Sequence, residues 1–136
     1  MRNILTFTVV LCLVWSAALA NGQLDLSSPE ATLAGYIESL RHGNVEGVLA
    51  RYHNADQFYL PSPLPIENYE IVNKIILGNK EVQEWNRKRI IPAAKLGDVQ
   101  LDVRERVAGR DQMFSYNFRK IDGRWKLISH SAWGVD

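Results

Sequence analysis

The sequence predicts an α+β domain in which amino-terminal helices pack on an antiparallel sheet. Apolar residues recur at helical spacing from Leu33 to Tyr52 and alternate at strand spacing from Val99 to Leu127. A Gly43-Asn44 pair interrupts the first region and an Asp122-Gly123 pair the second, which marks both as hairpins. Two amphipathic helices joined by a short turn need a surface to cover, and the alternating meander supplies one.

The segment SSPEATLAGYIESLRHG carries the signals of a complete helix. Ser27 or Ser28 can cap it, Pro29 suits its first turn, Glu30 sits near the positive helix end, and Gly43 terminates it. Leu33, Tyr36, Ile37 and Leu40 form its apolar stripe. Asn44 can cap a second, shorter helix on which Val45, Val48, Leu49 and Tyr52 repeat the spacing. The GNKEVQEWNRKR segment predicts a third helix, with Asn79 as cap and Val82 and Trp85 on one side. Residues 68–77, NYEIVNKIIL, suit either a strand or a helix face: the β-branched residues favour the first and the spacing of Val72, Ile75 and Ile76 the second. After Val99, Leu101, Val103 and Val107, then Phe114, Tyr116 and Phe118, then Trp125 and Leu127, alternate with polar residues. At least three antiparallel strands follow, turning at Gly109 and at Asp122-Gly123, with Trp125 expected in the core.

Residues 1–20 have the order of a secretory signal peptide. Arg2 precedes an apolar run from Ile4 to Val14, and small residues end in Ala18-Leu19-Ala20, an A-x-A cleavage pattern. The run is shorter than the roughly 20 residues a membrane span needs. Cleavage after Ala20 would leave residues 21–136, 116 residues, as one secreted or periplasmic domain with no membrane anchor. The single cysteine, Cys12, and Arg2 would leave with the peptide, so the mature domain has 15 basic and 15 acidic residues and no thiol. Thiol catalysis, disulfides and cysteine-ligated metals are thereby excluded from it. Balanced charge argues against nucleic-acid binding, and Arg87-Lys88-Arg89, downstream of Glu81 and Glu84, reads as a solvated helix end. Pro61, Pro63 and Pro65 stiffen an extended connector.

Helix, helix, strand, helix and a closing meander, in that order, resembles the nuclear-transport-factor-2-like superfamily, the cystatin-like α+β cone. The likeness is carried by SPEATLAGYIESLRHGNVEGVLARYH as an opening hairpin, GNKEVQEW as the start of the third helix and DGRWKLISHSAW as the final hairpin. It covers nearly all of residues 21–136. It implies helices packed in the concave face of a curved antiparallel sheet, with a cone-shaped cavity between them. Laid without gaps on the ketosteroid isomerases of that superfamily, Tyr36 falls at the oxyanion-stabilising tyrosine and Leu60 at the general-base aspartate. Leucine cannot take a proton from carbon, so ketosteroid isomerisation loses its central group.

The aromatic residues Tyr36, Tyr59, Trp85 and Tyr116 are expected to line an apolar ligand site. On its own, an aromatic such as Tyr36 on a helix stripe also reads as core. His130 on the last strand is the best histidine for a general base. His42 reads as a helix-end cation, and His53 with Asp56 as a local turn contact. Glu105 falls on the apolar face between Val103 and Val107, which requires a partner, a sheet end or a function, whereas Asp102 and Arg104 fall on the opposite face and read as solvated. No histidine or carboxylate spacing suggests a metal, and no cofactor is expected. The leading expectation is an exported, non-catalytic domain binding a small apolar ligand. The alternatives are an isomerase- or dehydratase-type enzyme using His130 or Glu105, and a protein-interaction or inhibitor module, with a homodimer formed through the sheet as a further expectation.

Overall fold

Capping and turn residues set the ends of most elements in the computed structural model, which describes residues 24–53 and 66–133. Helix α1 spans Pro29–Arg41 and helix α2 Val45–Arg51. Strand β1 (Ile66–Ile76) and helix α3 (Asn79–Arg87) follow, then strands β2 (Val99–Val107), β3 (Arg110–Ile121) and β4 (Arg124–Ala132). The Ser28 hydroxyl accepts the Ala31 N–H at 3.1 Å, and Pro29 occupies the first turn, where a missing N–H costs nothing. The Asn44 side chain accepts the Gly47 N–H at 3.0 Å and so starts α2 directly after the Gly43 turn. Helix α3 begins one residue earlier than its sequence suggests. Gly78, not Asn79, is its N-cap, because the Glu81 carboxylate reaches back to the Gly78 N–H at 3.0 Å.

The strands form one antiparallel sheet in the order β1-β2-β3-β4. Residues 68–77 are mostly β1. Tyr69 and Ile71 pack against the core two residues apart, while Val72 and Ile76, which a helix would have buried together, are exposed. The β2–β3 and β3–β4 hairpins turn on Ala108-Gly109 and Asp122-Gly123. All four residues have φ between 50° and 77°, the left-handed pair that matches strand twist.

One sheet face takes the helical hairpin. Leu33, Ile37 and Leu40 of α1 and Val48 of α2 bury against Leu101, Val103, Phe118 and Leu127. Polar contacts fix the position. Thr32 Oγ1 donates to the Trp125 carbonyl at 2.8 Å, the His53 N–H donates to the Leu127 carbonyl at 2.9 Å, and Arg41 Nε donates to the Ile66 carbonyl at 2.8 Å. The two helices approach closely at Gly35, where a Cβ would lie 2.2 Å from Arg51 Nε.

Two side chains depart from the expected burial. Trp125 is only half-buried, packing on the rim of the core, because β4 is the edge strand of the sheet. Asp102 lies on the face away from the helices but is buried. It accepts from Ser115 Oγ and Gln100 Nε2, both at 2.8 Å, and from Asn73 Nδ2 at 3.2 Å. Polar partners on both neighbouring strands cover it, so strand alternation alone misjudged its exposure. Arg104 is exposed, as expected, and pairs with Glu70 at 3.3 Å.

Candidate functional site

Helical spacing and strand register bring five hydrogen-bonding side chains into the interior. Tyr36 lies on the buried stripe of α1, and Tyr52 is the residue that caps the end of α2. A parallel bridge between Tyr52 and Leu127 holds that helix end against β4. On the sheet, Tyr116 stands opposite both Leu101 of β2 and His130 of β4. Glu105 is four residues along β2 from Leu101 and therefore on the same face, within reach of the long Tyr116 side chain.

Tyr36 is central. Its ring centroid lies 5.6 Å from that of Tyr52, 5.9 Å from Tyr116 and 6.4 Å from the His130 imidazole. The Tyr52 and Tyr116 contacts are edge-to-face, the arrangement aromatic quadrupoles favour. The His130 ring stacks on Tyr116 with centroids 5.8 Å apart and planes 23° apart. The Tyr116 hydroxyl donates to Glu105 Oε1, and the Tyr52 hydroxyl is hydrogen-bonded to His130 Nδ1. Glu105 is 1% exposed, so Tyr116 is the partner that its place on the apolar face required.

Burial favours the uncharged form of each group. It pushes the Tyr36 hydroxyl up to about 12, against a hydrogen bond from Tyr52 that favours the phenolate; the Glu105 charge adds to the rise. Tyr52 and Tyr116 are also raised, chiefly by burial. The Glu105 carboxyl is raised by desolvation, opposed by the bond from Tyr116, and His130 is lowered by desolvation.

The Tyr52 hydroxyl thus lies between the Tyr36 ring and His130, hydrogen-bonded to Nδ1 of the imidazole. Burial keeps Tyr36 a neutral phenol with an O–H, and it favours a neutral imidazole that can take a proton. Near Tyr36, a protonated Glu105 would be a second donor. Such a group of donors can hold one carbonyl or hydroxyl oxygen, and the imidazole can accept a proton beside it.

Of the residues expected to line the site, Tyr36 and Tyr116 are in the cluster, together with Glu105 and His130. Trp85 is elsewhere: its indole N–H donates to the Pro92 carbonyl at 3.2 Å, and it lines a shallow pocket of about 220 Å³ with Ile75, Leu77 and Gln100. Tyr59, Leu60 and Asp56 lie outside the described residues. Tyr52 was not expected here, although its place at the end of the α2 apolar stripe was the available signal. Among the described residues no group of three or more His, Cys, Asp or Glu side chains could hold a metal ion. Comparison with family models, curated proteins and solved structures finds no match to this chain.

Proposed function

We propose that the chain is a ligand-binding domain of the nuclear-transport-factor-2-like type, exported by its amino-terminal segment. Its ligand is a small, largely apolar molecule bearing one carbonyl or hydroxyl oxygen. The observation that carries this reading is the cluster of Tyr36, Tyr52, Tyr116, Glu105 and His130, which sets neutral hydroxyl groups among aromatic rings in the interior. Leu33, Ile37 and Leu101 bound the cluster with apolar surface, so a ligand there would be held by burial and oriented by its oxygen.

The experiment is a pair of fluorescence titrations, with 2-naphthol and with naphthalene, which differ by one hydroxyl. A hydrogen bond to a buried oxygen contributes about 1 to 1.5 kcal/mol, so 2-naphthol is expected to bind roughly tenfold more tightly. Tyr36→Phe should bring the two affinities together. Equal affinities in the unaltered protein, or a preference that survives in Tyr36→Phe, would count against the reading.

A second reading, acid–base catalysis of isomerase or dehydratase type, is favoured by the neutral His130 imidazole beside the same donors. In it the His130 imidazole takes a proton from carbon while the Tyr36 hydroxyl stabilises the developing oxyanion. Conjugation of a β,γ-unsaturated ketone, followed by absorbance, tests it. Turnover abolished in both His130→Gln and Tyr36→Phe would establish catalysis. Binding without turnover leaves the domain a carrier.

A further inference from the structure

Independently of the interior site, we propose that the loop from Arg87 to Leu96 docks on an anionic lipid surface. The loop presents apolar side chains to solvent: Ile91 is 86% exposed and Leu96 68%, and Ile90 is exposed as well. The loop's far end is anchored to the end of β1, where Leu77 exchanges backbone hydrogen bonds with Gly97 and Asp98 at 3.0 and 2.8 Å. Single exposed apolar residues are ordinary, but three within residues 90–96 form a patch.

Four cations are interleaved with that patch, and this selects the partner. Arg87, Lys88, Arg89 and Lys95 are all exposed. The nearby acids are largely committed. Glu84 pairs with Lys88 at 3.7 Å, which leaves Arg87, Arg89 and Lys95 as the cations to meet phosphate, while Glu81 accepts the Gly78 N–H and Asp98 binds Arg119 at 2.9 and 2.7 Å. Apolar side chains flanked by lysine and arginine match a bilayer interface with anionic headgroups, where the chains enter the acyl boundary and the cations meet phosphate.

The patch is also held in place. Asn86 binds both the N–H and the carbonyl of Ala94, at 2.9 and 3.2 Å. Trp85 holds the Pro92 carbonyl, and Arg119 Nη2 donates to the Ala93 carbonyl at 2.8 Å. The loop so tied keeps Ile91 and Leu96 outside. Ordering them in advance lowers the entropic cost of docking.

The test is co-sedimentation of the purified chain with vesicles of equal parts phosphatidylglycerol and phosphatidylcholine, against vesicles of phosphatidylcholine alone. The unaltered protein should favour the anionic vesicles and lose that preference as salt rises. Ile91→Asp combined with Leu96→Asp should weaken partition at least about tenfold, with an unchanged circular dichroism spectrum. Arg87→Glu with Arg89→Glu should abolish the preference for anionic vesicles. Absence of binding, or equal binding to both vesicle types, overturns the proposal. So does binding that survives both pairs of substitutions, which would assign it to another segment such as the apolar run Ile4–Val14. A dimer that Ile91→Asp and Leu96→Asp dissociate, without vesicle binding, would make a second copy the occupant.

Discussion

Glu105 shows how much a single misfit in a sequence pattern can reveal. A carboxylate between Val103 and Val107 contradicts strand alternation unless something compensates for its burial, and the Tyr116 hydroxyl does so. Compensation is incomplete, because desolvation still raises the carboxyl above its ordinary value of 4.5. The folded state therefore holds this proton more tightly than the unfolded chain. Above pH 4.5 unfolding releases it, and stability falls as pH rises until the folded-state value is passed. Glu105→Gln keeps an acceptor for Tyr116 and cannot ionise. In urea melts, the stability of the variant relative to the parent should increase as pH rises from about 4.5. A difference that does not change with pH would show that the carboxyl is not held up by its surroundings. His130 has the opposite sign: burial lowers it, so its contribution to stability is lost as pH falls below its ordinary value of 6.5. That loss occurs in parent and variant alike and cancels in the comparison.

At the scale of elements, legibility in the sequence followed the locality of the signal. Caps and turns act within four residues, and Ser28, Asn44, Gly109 and Asp122-Gly123 appear where the sequence suggests them. The Ser28 cap gives a direct check: Ser28→Ala should cost about 1 kcal/mol, read as a lower urea midpoint with an unchanged slope. No measurable loss would mean that Pro29 and the Thr32 bond to β4 hold the α1 start without the cap. Segment 68–77 was ambiguous for a physical reason. Its β-branched residues satisfy both periodicities, and only pairing with β2, a contact remote in sequence, selects the strand. Asp102 illustrates the same limit, since the partners that bury it come from β1 and β3 as well as from Gln100.

For the whole molecule, an α+β domain with helices on one face of a four-stranded antiparallel sheet was readable from two hydrophobic periods. The composition of the site was less so. Tyr36, Tyr116 and Glu105 could be identified as inward-facing from their own elements, because each breaks or completes a local pattern. His130, three residues past Leu127, is on the opposite face by strict alternation and is brought to the inner face by the register shift of β4 between Leu127 and Ser129. That they meet, and that Tyr52 joins them, depends on how α2 is seated against Leu127, which no local pattern encodes. Trp85 shows the converse: its helix presents an aromatic face as expected, but that face meets Pro92 and Ile75 instead of the cluster.

Ligand binding in the interior cluster is the central proposal, and His130 can report on it. In protein labelled with ¹⁵N-histidine, the ring nitrogens of His130 can be followed by magnetic resonance as 2-naphthol is added, with His42 at the exposed end of α1 as the internal control. The predicted result is a saturable shift of the His130 nitrogens, an unmoved His42, and loss of the response in Tyr36→Phe. Saturable binding of 2-naphthol that leaves the His130 nitrogens unmoved would contradict binding in the cluster and place the ligand elsewhere on the protein.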